Sequence, residues 1–422
     1  MTDSNRISIG YGIEDVEYGT PPAGSGKWRQ MRSTSESLHQ ETSSTSSAEL
    51  RSDRQVPAVT RTNLSVAGDT AWELSFDDVG NGVIQFNRLL ESAIMDDGGW
   101  STKIVTSGHS GFVITEATNR VQTGSSSGTL FSNFQEGEWI RITGMSKAGN
   151  NGIFKIKTKV SSQDIYLEGA TAEYLEDETD TTATAERLAQ IVNGVAQSSY
   201  TIERIYEDIT SGDSGRCASY GGMMIDTMNI TVAPESIITG SFGWIGKSET
   251  SLDTETEAVG QHDAANANDP MNSIDNVPKV MEGAKIGDDT GTNVFEYTGY
   301  VTSNVTGFSI TTGNNLRTRM EIGTLGAVSI GSGVCNVSGT ITKYYANKNM
   351  MEKYLDFTES SLAIITQDTD GNAYVFDFPS VKFTSGQRVA GGQNQDIIAD
   401  MAWEALMNPV EGITMRIAKY EA

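Results

Sequence analysis

Two stretches far apart in this chain follow one plan. Ser65-Val66-Ala67-Gly68 opens a strand, leads to a short apolar helix near Phe86–Ala93, and is followed by β-rich sequence. Asn336-Val337-Ser338-Gly339 opens a strand, leads to a short helix near residues 349–357, and β-rich sequence follows again. The agreement requires residues 100–196 to be an insertion. With them removed, residues 199–207 follow the first helix as residues 361–367 follow the second. A duplicated β unit without a visible catalytic set reads as a building block of a symmetric assembly.

Composition supports a β reading. The 44 glycines and 8 prolines make turns frequent and long helices few. Short β-branched runs separated by Gly, Asn, Asp and Ser are the signature of antiparallel sheets. The formal charge of −25, from 30 Lys and Arg against 55 Asp and Glu, argues against gripping a phosphate backbone, which needs clustered cations. Two cysteines, Cys217 and Cys335, are expected as reduced, half-buried thiols, as suits a reducing compartment. The start, Met1-Thr2-Asp3-Ser4-Asn5, lacks the basic and apolar regions of a signal peptide, and no window approaches about 18 apolar residues. No membrane association is expected.

Along the chain, residues 1–27 read as an extended arm docked by Tyr11 and Tyr18, with Pro21-Pro22 beyond. Residues 27–38 are strand-like, and the Ser/Thr run 42–47 is expected at the tip of a long loop or hairpin. Val83, Ile84, Phe86, Leu89, Leu90, Ala93 and Ile94 have helical spacing behind Asp77-Asp78, with Asp97-Gly98-Gly99 as the stop. Residues 112–115, 137–143, 152–160 and 164–168 predict a small β-barrel or Ig-like domain inside the insertion. The predicted organisation is a first module of 1–99 with 197–246, an inserted domain at 100–196, a polar linker or long loop at 247–293, and a second module at 294–422.

No set of residues carries chemistry. His39, His109 and His262 lie in separate segments without a second His or Cys at ligand spacing. Gly24-Ser25-Gly26-Lys27 ends in Trp28 where a phosphate loop needs a hydroxyl residue. Asp368-Thr369-Asp370-Gly371-Asn372 opens like a calcium loop but lacks the closing glutamate, so it predicts a hairpin turn, with 208–215 in the matching place. The acidic run at Glu173, Glu176, Asp177, Glu178 and Asp180 reads as a solvated loop. No catalytic residue, metal site or cofactor is expected.

The order of these pieces resembles the tail tube proteins of bacteriophages with long, non-contractile tails. The resemblance covers most of the chain. It is carried by Tyr11-Gly12 through Tyr18-Gly19-Thr20-Pro21, by Leu50-Arg51-Ser52-Asp53-Arg54-Gln55, by residues 134–144 and 149–154, by Asn314-Asn315-Leu316, by residues 339–345 and by Phe376-Asp377-Phe378-Pro379. It implies a mainly β fold: two tandem β-sandwich or barrel modules, each with a flanking helix, plus the inserted β domain. It implies sheets joined side by side into rings, and rings stacked into a tube in the virion tail, assembled in the host cytoplasm. With two modules per chain, three chains would make a pseudo-six-fold ring in place of a hexamer.

The implied partners are copies of the chain itself, a tape measure protein, tail terminator and distal tail or baseplate proteins. DNA would pass through the lumen without specific binding, repelled by an acidic wall over about 8 Å at physiological salt. The arm, residues 34–60 and their counterpart at 313–328 are the candidate ring-to-ring contacts, with Arg51, Arg54 and Arg61 facing acidic loops of the next ring. The alternatives are an outer-surface carbohydrate-binding or decoration protein of a phage particle, and the tube of a contractile or secretion device. A glycan hydrolase on a β scaffold is the rival from a different class.

Overall fold

The computed structural model describes the chain except for residues 1–2, 16, 25, 78–85, 107–111, 124–129, 169–174, 181–182, 257–261, 275–278, 285–296, 301–304, 346–348, 390–391 and 422. Its elements are nearly all strands, with two short α-helices, α1 (Phe86–Ala93) and α2 (Asn349–Leu355). Among the described residues, eighteen strands form one hydrogen-bonded network, and eight more form a separate sheet within the inserted segment.

One pairing scheme occurs twice in the large network. The first set is Val59–Glu73, α1, Tyr200–Tyr206, Cys217–Val232 and Thr239–Gly246. The second is Asn336–Tyr344, α2, Glu359–Gln367, Ala373–Val389 and Ile398–Ala405. In each set the first strand pairs with the last, and the last pairs with the second half of the long strand. The first half of the long strand pairs with the strand after the helix.

The registers agree residue by residue. Gly68 lies opposite Trp244, and Gly339 opposite Trp403. Those indoles face the long strands at Ile225 and Phe383, and each long strand bulges immediately afterwards, before Thr227 and before Ser385. A bulge bends its strand, so each long strand leaves one layer here and enters the other. Glycine is required because the backbones crowd. A Cβ on Gly68 (φ +148°) would lie 2.6 Å from the Ser37 carbonyl oxygen, and one on Gly339 would lie 1.9 Å from that of Ser309.

The two layers enclose one core. The front layer buries Trp72, Phe242, Trp244, Phe308, Ile341 and Trp403; the back layer buries Tyr200, Ile202, Tyr220, Leu362, Phe376 and Phe378; α1 adds Leu89, Leu90 and Ala93. The strict alternation along Ile398–Ala405, where every second residue is buried, is the pattern of a sheet with one wet face. The halves are also tied by polar contacts. Tyr374 of the second set donates its hydroxyl to Asn87 of α1 at 2.6 Å and accepts from the Asp77 backbone at 3.3 Å. Asp77 forms a buried bidentate pair with Arg29, at 2.8 and 3.0 Å.

Several expectations are refined. Tyr11 lies in a strand, Ile7–Ile13, paired along Tyr200–Tyr206, so the N-terminal arm is part of the back layer. The Ser/Thr run belongs to the exposed strand His39–Ser46, paired with Val59–Ala67 in a two-stranded arm, and the tip lies beyond it. Cross-strand hydrogen bonds sustain this arm where no core is available. The helix stops at Ala93, with Met95 in the left-handed region (φ 54°), before the Gly98-Gly99 pair is reached. Asp77 accepts from the Phe86 amide at 2.5 Å as expected of an acidic residue ahead of the helix; Asp78, Val83 and Ile84 lie outside the described residues.

Asp368 closes a hairpin turn by accepting from the Asp370 and Asn372 amides, with Gly371 at φ 95°. The strands of the separate sheet run from Ile104 to Arg187, whereas Ala189–Val192 pairs with the C-terminal strand Arg416–Tyr420 of the large network. From the stretch 247–293, Ser248–Leu252 pairs with Cys217–Gly221 and Lys279–Ala284 with 360–365.

Candidate assembly interface

The two strand sets meet edge to edge inside the chain. Residues 227–232 of the first long strand pair antiparallel with residues 308–313, and these pair in turn with Asn336–Tyr344 of the second set. The front layers thus form one continuous surface. Asn314 secures the seam: its side-chain nitrogen donates to the Ala93 and Ile225 carbonyls, both at 3.0 Å, and its amide donates to Asp226. The Leu316 amide donates to the Asp226 carboxylate at 2.8 Å. Asn314-Asn315-Leu316 was legible as a motif, but its place at the seam was not.

By the shared register, residues 385–389 of the second long strand correspond to 227–231 of the first. They pair with Ile398–Ala402 on one side. On the other side no strand pairs with them among the described residues. An unpaired strand edge is a docking template for another chain.

The face of the front layer that points away from the core is short and polar. Thr227, Asn229, Ser309, Thr311, Ser338, Thr340 and Thr342 carpet it, with Asp69, Asp400 and Glu404 as exposed acids. Its hydroxyls and amides bond one another across strands: Ser309 with Thr340 at 2.8 Å, Thr311 to Asn229 at 2.9 Å, and Thr342 to Asp400 at 3.1 Å.

Each set also carries a projecting hairpin. The arm 39–67 holds Arg51, Arg54 and Arg61 on exposed positions. Arg51 is held bidentate by Asp53, at 3.0 and 2.8 Å, Arg54 adopts a left-handed backbone (φ 57°), and Arg61 lies opposite Ser44. The structure therefore spreads the three along the arm and its tip. Leu50 is 99% exposed beside them. The matching hairpin, Arg317–Arg319 with Ser329–Gly331, exposes Met320, Ile322 and Leu325 at its tip.

Residues 4–405 match the family of phage tail tube proteins. The chain belongs to that family. It is a structural subunit of the tail tube, a part of the virion tail that assembles with its own copies into stacked rings. Among solved structures, the SPP1 tail tube determined by solid-state NMR and cryo-electron microscopy is similar over 34% of this chain and 78% of that one, at 13% identity and a TM-score of 0.23. The curated proteins give no match.

On the side of this tube subunit opposite the open polar face, the inserted sheet packs on the second set. Trp139 and Leu188 meet Ala363, Ile365, Val375, Ala418 and Tyr420. Within this contact Lys155, wholly buried, donates to both oxygens of Asp377 at 2.9 Å. Arg416 reaches Asp377 at 3.2 Å, Glu411 at 2.7 Å and the Gly137 carbonyl at 2.5 Å. Burial opposes the Arg416 charge, yet Glu411 and Asp377 outweigh it and raise its pKa. In Phe154-Lys155-Ile156 and Phe376-Asp377-Phe378 each charge alternates with core-facing residues, the position where a solvated charge is ordinary, so nothing local in the sequence marked this pair.

Buried titratable groups elsewhere are structural. Burial pushes the Cys217 thiol up to about 12, which keeps it protonated and poorly nucleophilic. His262 stacks on Trp28, with ring centroids 5.1 Å apart, and burial lowers its pKa. His39 is exposed beside Glu41, and His109 lies outside the described residues. Among the described residues, no group of three or more His, Cys, Asp or Glu is arranged to hold a metal, and no helix is long and apolar enough to cross a membrane.

Proposed function

We propose that three copies close into a ring of six alternating sheet units, in a siphophage-type tail. The seam inside the chain is the single observation that carries this reading. It shows how the edge of one set accepts a strand, residues 308–313, laid against the first strand of the next, and residues 385–389 offer the same edge outward. In the proposed division, 1–99 with 197–246 and 294–422 are the two tube modules, 247–293 straps them, and 100–196 is the appended domain. A hexamer of whole chains would instead give twelve units.

The open polar face lines the lumen in this reading, and the inserted domain, lying behind the back layer, points outward. Small hydroxyls already bonded to one another offer DNA few free donors, and Asp69, Asp400 and Glu404 repel it. Three chains at −25 carry −75 in total, a field that salt screens over about 8 Å. DNA therefore slides without specific binding, and no catalysis is involved. The hairpin tips, with Arg51, Arg54 and Arg61, contact the next ring. A tape measure protein fills the lumen during assembly in the host cytoplasm, and terminator and distal tail or baseplate proteins close the ends.

Negative-stain images and native mass spectrometry of assembled protein test the reading. Tubes with a central hole built from trimeric rings support it; rings of six chains refute the trimer, and a monomer that cleaves polysaccharide refutes the whole. Reversing Asp69, Asp400 and Glu404 to lysine should slow genome ejection, and an unchanged rate would remove the electrostatic argument.

A further inference from the structure

The complementary edge of the ring contact is already occupied in the single chain. By register, Leu38 corresponds to Ile310. Gly68 and Gly339 are equivalent, Ile310 pairs with Gly339, and the pairings Glu36–Thr70 and His39–Ala67 set Leu38 opposite Gly68. The Ser37 amide donates to Asp69 in the neighbouring strand, so the backbone groups of Leu38 and Gln40 point the other way, toward where a further strand would lie.

Those groups are capped by side chains. The Leu38 carbonyl accepts from Arg204 at 2.6 Å and from the Tyr220 hydroxyl at 3.1 Å. The Leu38 amide donates to Glu36 at 2.9 Å, and Glu36 is itself held by Arg204 at 2.5 Å. The Gln40 amide donates to Glu249 at 3.2 Å, while the Glu249 amide donates to the Gln40 side chain at 3.0 Å.

Among the described residues the second set has no such cap. Its residues at the places of Arg204 and Tyr220 are Ile364 and Phe378, since the pairs Ile202–Tyr220 and Leu362–Phe378 follow the same bulge. There the equivalent edge, at Ile310, is taken by a strand, residues 227–232. Polar capping groups stand at these two places in the half whose edge is free, and apolar ones in the half whose edge is paired.

We infer that Arg204, Tyr220, Glu36 and Glu249 form a latch that keeps the receiving edge shut in the unassembled subunit. Residues 385–389 of a second copy must displace it, pairing with residues 37–41 so that Gln387 faces His39 as Asn229 faces Thr311. The latch restrains the free subunit from polymerising before a growing tube presents that strand. This rests on the ring reading above.

The test exchanges the latch for the residues of the other half, Arg204→Ile with Tyr220→Phe, and follows assembly of the full chain by light scattering and electron microscopy without other tail proteins. The latch predicts assembly at a concentration about tenfold lower than the unaltered chain needs, or after a shorter lag. Tyr220→Phe alone, which removes one hydroxyl and keeps the shape, should lie between. An unaltered threshold in both variants, with circular dichroism unchanged, overturns the latch. Separately, His39→Cys with Gln387→Cys should give chain-to-chain disulfides in assembled tubes. Cross-linking with an unaltered threshold leaves the ring register standing and removes the latch; tubes that do not cross-link remove both.

Discussion

The outer faces of the two equivalent back layers are covered in different ways, and the contrast shows how one pairing scheme buries a carboxylate with and without a cation. In the first set Glu203 lies opposite Ser219; in the second Ala363 lies opposite Asp377, at the same place in the sheet. Both carboxylates are fully buried. Glu203 is covered by a strap of chain, accepts from the Thr256 amide at 3.3 Å and from its hydroxyl, and has His262 at 3.7 Å. Asp377 is covered by a whole domain and meets two cations, Lys155 and Arg416. Burial raises the Glu203 pKa, and the Thr256 hydrogen bonds only partly offset it. Burial beside the Glu255 charge leaves the Glu203 carboxylate reluctant to ionise, whereas a cover that supplies cations makes the contact specific, because neither partner is tolerated alone.

The largest expected difference follows from that asymmetry. Lys155→Met should cost about 3–5 kcal/mol of stability, read by urea denaturation, because Asp377 loses, in a dry interface, the ammonium that donates to both of its oxygens. Adding Asp377→Asn should recover part of the loss. A cost below about 1 kcal/mol would show that the inserted domain is not held by this pair. The same network bears on removing residues 100–196: deletion would expose Asp377 and Arg416 together with the apolar patch around Val375 and Tyr420, so a soluble truncated chain requires that patch to be made polar as well.

Next come the matched glycines. Gly68→Ala and Gly339→Ala should each cost about 1–3 kcal/mol through crowding against the facing carbonyl. Gly339→Ala should be the worse, because the Trp403 ring also approaches to 2.5 Å. Equal and negligible losses would contradict the shared register.

Glu203→Gln is expected to change stability by less than about 1 kcal/mol, since an amide oxygen still accepts from Thr256 and no buried charge remains. A loss as large as that of Lys155→Met would erase the contrast between the two covers.

The last effect is on pH dependence. Burial holds His262 below its ordinary 6.5, against the pull of Glu255, Asp263 and Glu207. The unfolded chain therefore takes up the proton first, and stability is lost as pH falls from 6.5 toward the folded value, by at most about 1.4 kcal/mol per pH unit. Glu203, whose folded pKa is raised, acts in the opposite sense nearer its own titration. Thermal melts between pH 7 and 5.5 should show a shallower decline for His262→Gln than for the unaltered chain. Parallel curves would mean that His262 is not the titrating group.

The duplicated plan was visible in sequence because strand–helix–strand order and the glycines at Gly68 and Gly339 are local. Each glycine marks a place where backbones approach, whatever lies beyond it. The turn at Asp368–Asn372 and the β character of the inserted segment were legible for the same reason: turn chemistry and alternation act over a few residues. Stop signals proved less certain, as Met95 adopts the left-handed geometry that Gly98 and Gly99 were expected to supply.

Tertiary structure alone decided which long-range groups meet. The sequence does not say that Asn314 bridges α1 and the first bulge, that Lys155 of the insertion faces Asp377 of the second set, or that Arg204 and Tyr220 cap Leu38. Each pairing joins residues remote in the chain and depends on how two layers are stacked. Alternation and turn residues determine the strands; the layer order, which edge stays open and which buried charge finds its partner arise only when the sheets close over a common core.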